Sequence, residues 1–362
     1  MENWGLITFA ETALLVHPSS GSQSGRQYAA LLIAHEVAHQ WFGNIVTMRW
    51  WSQLWLNEGF ASWAEYFCVD ALFPEWKMWD QYLGVRFAFS LAADALEHSH
   101  ALELPMATPA DIDENFDAVS YSKGSVAVRM MQQALGTEAF RRAISAYLKR
   151  FAYSNAVTAD LWAVAAESSG KDVAGMMAKW ANQTGYPIVR VKSIERSAGA
   201  GGDGAAGAGG VKLQLEQRRW LLQGAQEKEE TTWSLPVALV AAGSGASSAP
   251  TPAQLLTGRD ATLHFDLPAS ATEGDDASSS SSSSTGAPAS SSASSSASSP
   301  VAFKLNPGQV YLYRVLYPAD HYPLLLRSLF SFSASDRLGL QSDLFALWRS
   351  GALPGGFGRG WG

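Results

Sequence analysis

Apolar positions crowd the first part of the chain at helical spacing. Between residues 31 and 42 they include Leu31, Leu32, Ile33, Ala34, Val37, Ala38, Trp41 and Phe42, and the chief polar interruptions are His35, Glu36 and His39. A helix apolar nearly all round is expected to be buried, and buried polar groups need partners. Residues 55–69 predict a second helix, with Leu56, Phe60, Trp63, Ala64 and Phe67 toward the core and Glu58 near its start. Further helices are predicted over 76–96, 125–135, 138–151, 159–168 and 173–184. Ala107-Thr108-Pro109 and Thr158-Ala159-Asp160 read as helix starts, and Ser120 and Ser122 as caps before residue 123. A strand is expected over 5–9. From Tyr186 the pattern shortens to strand-length pieces, at 188–191, 211–215, 232–240, 263–267 and 310–317. Helical spacing returns from Leu324 and is strongest over 336–348. The sequence therefore predicts an α+β protein.

Composition narrows the function. The 362 residues are 47% hydrophobic and carry a net charge of −7, which argues against nucleic acid or an anionic membrane surface as partner. No apolar run is long enough to span a membrane, and residues 1–16 lack the pattern of a signal peptide. The single cysteine, Cys68, excludes an internal disulfide and reads as a buried thiol in the second helix. A cytoplasmic setting is the expectation. The low-complexity stretches at 197–210, 241–253 and 269–300 lack the apolar groups that offset ordering entropy, and are expected to be disordered inserts.

The chemistry sits in His35-Glu36-Val37-Ala38-His39, with eighteen residues intervening before Glu58. Residues four apart share a helix face, so His35 and His39 can hold one metal ion. A third ligand from Glu58 completes two nitrogens and one oxygen, with a fourth position open, as in catalytic zinc sites. Zinc lowers the pKa of bound water toward neutrality. Glu36, rotated away from the ligand face, suits a general base for that water. His17, His98, His100, His264 and His321 lack ligand spacing and read as structural or surface groups. Trp4, Trp41, Trp50, Trp51, Trp55 and Trp63 read as core and pocket walls.

His35-Glu-Val-Ala-His39-Gln-Trp-Phe-Gly-Asn44, Trp50-Trp51 and Leu54-Trp-Leu-Asn-Glu58-Gly-Phe-Ala61 resemble the gluzincin zinc aminopeptidases of the aminopeptidase N type, in particular their puromycin-sensitive branch. The similarity runs from Met1 to about Val191 and resumes near residues 306–317 and 336–348. It implies one zinc ion per chain on His35, His39 and Glu58, with Glu36 as general base. Tyr121, in Ser120-Tyr-Ser-Lys-Gly124, matches the tyrosine that stabilises the tetrahedral intermediate. Met1-Glu2-Asn3 matches the end of a Gly-Ala-Met-Glu-Asn segment whose glutamate binds the substrate's α-amine, so Glu2 takes the substrate-binding role. The implied substrates are peptides with a free N-terminus.

The resemblance also implies an architecture: a thermolysin-like catalytic domain over 1–185, a small β-sandwich over 186–318 interrupted by the three inserts, the start of a helical domain over 319–350, and an unstructured tail over 351–362. The chain begins inside the Gly-Ala-Met-Glu-Asn segment and stops soon after its last helix begins. Two expectations follow. One is an active aminopeptidase; the other is a truncated zinc-binding fragment of weak or no activity, with uncovered apolar faces and Glu2 on a fraying end.

Overall fold

The computed structural model describes residues 1–17, 19–197, 209–223, 231–243, 249–267 and 301–353. Most of the inserts expected at 197–210, 241–253 and 269–300, and nearly all of the tail expected at 351–362, lie outside the described residues. Of the second insert, residues 241–243 and 249–253 are described and tied down: Ala242 donates its N–H to the Ala302 carbonyl, and Thr251 donates its N–H to the Leu239 carbonyl while its hydroxyl accepts from the Leu239 N–H.

Residues 1–185 are mainly helical. A short helix, Glu11–Leu14 (α1), precedes Gln23–Ala38 (α2), which starts at Ser22, whose hydroxyl accepts from the Gly25 N–H. After the three-residue strand Val46–Met48 (β1) comes Glu58–Leu72 (α3). Then follow Met78–Tyr82 (α4) and Ala88–Ala93 (α5), joined without a break by a π-helical turn over Leu83–Phe87. The single helix predicted over 76–96 is therefore real over 78–93. It cannot begin at Trp76, because Lys77 adopts a left-handed conformation (φ 49°) that ends the preceding turn. Pro109–Glu114 (α6) opens with the capping box of Thr108 and Asp111.

A second π turn, Val119–Lys123, runs straight into Gly124–Leu135 (α7). Ser120 and Ser122 are thus inside the helix and do not cap it. The capping acceptor is Asp117, whose Oδ1 takes the N–H of Val119 and of Ser120 at 2.9 and 3.0 Å. Thr137–Arg150 (α8), the strand Ser154–Ala156 (β2), Thr158–Ser169 (α9) and Val173–Asn182 (α10) complete this part. β1 and β2 pair in parallel. Residues 5–9 form no strand: Leu6 and Thr8 bond locally to the carbonyls of Asn3 and Met1, and no strand lies beside them among the described residues.

Beyond Tyr186 the structure turns to sheet. Pro187–Ser197 (β3) and Gly210–Arg219 (β4) pair antiparallel, with a bulge between Val191 and Ser193. The segment predicted over 232–240 divides at Ala238 into Leu235–Val237 (β5) and Leu239–Ala241 (β6). Gln254–Leu256 (β7) pairs with β5, and Asp260–Asp266 (β8) with β4. Phe303–Leu305 (β9) pairs with β6, and Arg314–Leu316 (β10) lies parallel to β3. The main sheet has the order β10-β3-β4-β8. The short helix Tyr322–Arg327 (α11) and the longer Ala334–Arg349 (α12) follow.

Buried ion pairs fasten these layers together. Arg314 Nη1 meets Asp343 of α12 at 3.1 Å, and Lys304 Nζ meets Asp336 at 3.2 Å. Lys123 Nζ lies 2.8 Å from Asp94 and also donates to the carbonyls of Gln183 and Gly185. Losing one partner of such a pair strands a charge and typically costs about 3–5 kcal/mol. The apolar core runs continuously from Phe42 and Phe60 through the helices into Leu213, Phe303 and Leu347.

Three sequence expectations about burial fail. α2 is not buried all round: Ile33, Val37 and Trp41, each four residues from the next, form an exposed stripe. Cys68 and Phe67 are exposed, because α3 turns Glu58, Ala61, Ser62, Glu65, Tyr66 and Val69 inward and leaves Phe67 and Cys68 on the outward face. Among the tryptophans, Trp55 and Trp63 are buried while Trp4, Trp41 and Trp50 are exposed.

Candidate metal centre

α2 and α3 pack side by side and turn His35, His39 and Glu58 toward one point. His35 Nε2 is 3.0 Å from His39 Nε2 and 3.2 Å from Glu58 Oε2, and His39 Nε2 is 3.4 Å from the same oxygen. Metal bonds of 2.0–2.1 Å at tetrahedral angles would hold ligand atoms about 3.3 Å apart. The three donors therefore already have the spacing of one face of a zinc tetrahedron.

The outer atoms of both rings are engaged. His35 Nδ1 is 2.9 Å from Glu65 Oε2, and His39 Nδ1 is 3.1 Å from the Phe42 carbonyl. Both acceptors require an N–H on Nδ1, which leaves each neutral ring with its Nε2 lone pair facing the other ring and the Glu58 carboxylate. Three electron-rich atoms converge there with less than a tenth of each residue exposed. Such a cluster calls for a cation. The electrostatics agree: burial alone would lower the His35 pKa, but its bonds to Glu58 and Glu65 outweigh that and push it up to about 9. Burial alone would raise Glu58, but its bonds to His35 and His39 bring it down to about 2. The pocket favours positive charge at this point, and a divalent ion would supply it.

Glu36 lies on the same helix but faces elsewhere. Its Oε2 is 2.9 Å from the Met1 ammonium, and carboxylate oxygens of Glu36 and Glu2 lie within 4.8 Å of each other and of a His39 nitrogen. Glu2 is not on a loose end. Its carbonyl accepts from Asn44 Nδ2 at 2.7 Å and Gln40 Nε2 at 3.1 Å, so the turn that follows α2 holds Glu2 in place.

Tyr121 comes from the second π turn. Its ring stacks on His35 with centroids 6.3 Å apart and planes 15° from parallel. Burial, the adjacent Glu58 charge and the hydrogen bond that Glu58 accepts hold its phenol well above the usual range, so it remains a donor. All six residues singled out in the sequence thus gather around one centre.

Sequence reasoning missed three residues. Glu65 and Arg86 back up His35, and Asp117 starts the turn that carries Tyr121. Glu65 had a signal: a carboxylate seven positions after Glu58, two helical turns on, inside an apolar run. Asp117 stands four residues before Tyr121, where an acidic residue opening a helical turn is itself a signal, whereas Arg86 comes from an element that only the tertiary structure brings near.

Two features elsewhere in the molecule take no part. A cavity of about 820 Å³ between the α7 and α10 ends and the strands is lined by Met176, Pro236, Leu255, Val310 and Tyr311. Its charged groups are used locally, Asp172 as the α10 cap and Lys171 on the Ala134 carbonyl. His321 is buried, donating Nε2–H to the Phe303 carbonyl.

Comparison with known proteins supplies the context. Residues 1–180 match the family described as peptidase family M1 domain. Aminopeptidase M1-B of Oryza sativa subsp. japonica is 38% identical over 349 residues, 96% of this chain and 35% of that protein. Aminopeptidase M1 of Arabidopsis thaliana is 47% identical over 239 residues, 66% of this chain and 25% of the relative. The puromycin-sensitive aminopeptidase of Caenorhabditis elegans is 36% identical over 355 residues, 98% of this chain and 33% of the relative. The chain spans about a third or less of the length of these relatives.

Proposed function

Because the chain belongs to peptidase family M1, among the aminopeptidases of the aminopeptidase N type, we propose that it is a zinc metallo-aminopeptidase, removing single residues from the free N-termini of peptides. The observation that carries this reading is the convergence of His35 Nε2, His39 Nε2 and Glu58 Oε2 at 3.0–3.4 Å with both Nδ1 atoms already engaged. When bound, zinc supplies a Lewis acid that polarises the scissile carbonyl and makes water nucleophilic at neutral pH.

The protein's own groups do the rest. Glu36 accepts the proton of the attacking water and returns it to the leaving amine. The Tyr121 hydroxyl, kept protonated by its surroundings, donates to the oxyanion developing on the scissile carbonyl. The Glu2 carboxylate, within 4.8 Å of Glu36, pairs with the substrate's α-ammonium and sets the cut one residue from that end. In this reading 1–185 is the thermolysin-like domain, 186–318 a small β-sandwich and 319–350 the opening of a helical domain. Among the described residues no helix is long and apolar enough to cross a membrane.

The test is zinc content measured together with hydrolysis of free-amine and N-acetylated aminoacyl-arylamides. One equivalent of zinc with cleavage of the free amine alone is the expected result. Zinc without turnover would leave a metal-binding piece whose activity depends on polypeptide outside this chain. Cleavage of the acetylated substrate would overturn the role of Glu2.

A further inference from the structure

We propose that Glu65, itself oriented by Arg86, is a positioning residue that aims the His35 imidazole and sets the affinity of the centre for its metal. The inference rests on the zinc reading above and extends it to two residues outside the ligand set.

The geometry is a relay. Glu65 stands seven residues after Glu58 on α3, so both carboxylates share the face that meets α2. One of its oxygens, Oε2, takes the His35 Nδ1–H at 2.9 Å. The other, Oε1, takes both Nε–H and Nη2–H of Arg86, at 3.2 and 2.8 Å. A guanidinium gripping one oxygen through two donors fixes the tilt of the carboxylate. The second oxygen is then held where it fixes the ring's tautomer and rotation. Arg86 comes from the π turn inside the helix of residues 78–93, where an extra backbone residue in the turn shifts side-chain direction relative to a regular helix. The Glu65 side chain is only 5% exposed, so water cannot substitute for it.

The rival explanation is a staple, in which the Glu65–Arg86 pair merely joins α3 to the following helix. A staple would stabilise the fold without touching the metal. A carboxylate on the far nitrogen of a ligating histidine does more: it makes the near nitrogen a better ligand, and its loss typically weakens metal binding about 10–100-fold.

The experiment uses the full chain. Zinc dissociation constants are measured by chelator competition for wild type, Glu65→Gln and Arg86→Gln, along with visible spectra of the cobalt-substituted proteins and circular dichroism of the metal-free ones. Glu65→Gln keeps size and an acceptor but loses charge, and should weaken zinc binding at least ~10-fold with a shifted cobalt spectrum. Arg86→Gln, which never touches His35, should weaken it in the same direction by a smaller factor. Arg86→Lys, which keeps the charge and loses the fork, should fall between Arg86→Gln and wild type. It carries the test if Glu65→Gln does not fold. Variants that bind zinc within twofold of wild type with unchanged cobalt spectra would overturn the proposal and leave the staple. A wild-type chain that binds no zinc would instead overturn the metal reading itself.

Discussion

Glu36 and the two histidines near it are neighbours in sequence that face different ways, and the difference comes from helical rotation alone. A step of three or four residues keeps a side chain on one face, while a step of one moves it about 100° around the axis. His35 and His39 therefore face Glu58, and Glu36 faces Glu2. The separation gives a clear expectation. Glu36→Gln should hold zinc as the wild type does, by metal analysis, while its turnover of a free-amine substrate falls at least ~100-fold. A variant with wild-type turnover would remove Glu36 from the mechanism. At this scale the sequence was most legible, because ligand spacing is a local property of one helix. What it did not reveal was the role of Glu65, whose place two turns after Glu58 gains its meaning only once its partner His35 is seen 2.9 Å away.

The elements meet where side chains are absent. Gly59, next to Glu58, packs directly on Gly124, and the sequence places 64 residues between them. A Cβ on Gly59 would sit 2.9 Å from the Gly124 backbone, and one on Gly124 would sit 3.0 Å from the Gly59 Cα. α3 and α7 can approach this closely only because both positions are bare. Gly59→Ala should thus destabilise the fold by about 1–3 kcal/mol, measured by denaturant unfolding, as overpacked contacts do. It should also weaken zinc binding, since Glu58 would be displaced. Stability within 0.5 kcal/mol of wild type would mean that the crossing has slack.

The turn bearing Tyr121 has its own pH signature. Asp117 caps it and also receives His100 Nε2 at 2.9 Å. The bond to Asp117, opposed by burial, raises the His100 pKa from its ordinary 6.5, so its stabilising contribution is complete below that value and is lost as pH rises through the raised one. Burial would raise Asp117, but His100 and two backbone N–H groups lower it below 3.8; its contribution is complete above 3.8 and lost as pH falls through the lowered value. The difference in thermal midpoint between wild type and His100→Gln should accordingly be largest between about pH 4 and 6.5 and shrink toward pH 9. A difference constant across that range would contradict the pairing.

For the whole molecule, the order of helix-rich then strand-rich segments was readable from periodicity, and so were the starts of α6 and α9, which carry explicit starting signals. The failures share a cause. Residues 232–240 read as one strand, but β5 and β6 pair with different partners, and pairing is not written in local alternation. The three-residue strands β1, β2, β7 and β9 are too short to show any period. Ile33, Val37 and Trp41 are apolar yet exposed, because hydrophobicity gives a tendency to be covered and does not supply the cover. Metal should tie the α2–α3 pair to the rest energetically. At a free zinc concentration ~100 times the dissociation constant, binding adds about 2.7 kcal/mol. Chelation should then lower the thermal midpoint by about 5 °C, and His39→Ala should show no such response. An equal response in that variant would place the zinc elsewhere.

Lys123 ties the last residues before the first long strand to the turn that carries Tyr121. Its ammonium, two residues from the Tyr121 hydroxyl-bearing position, is sealed from solvent and gripped by Asp94 and by the carbonyls of Gln183 and Gly185. Trimming the molecule back to residue 182 would spare every ligand yet remove two of those three acceptors. An engineer seeking a minimal catalytic lobe should therefore make the cut downstream of the seam, or neutralise the lysine first.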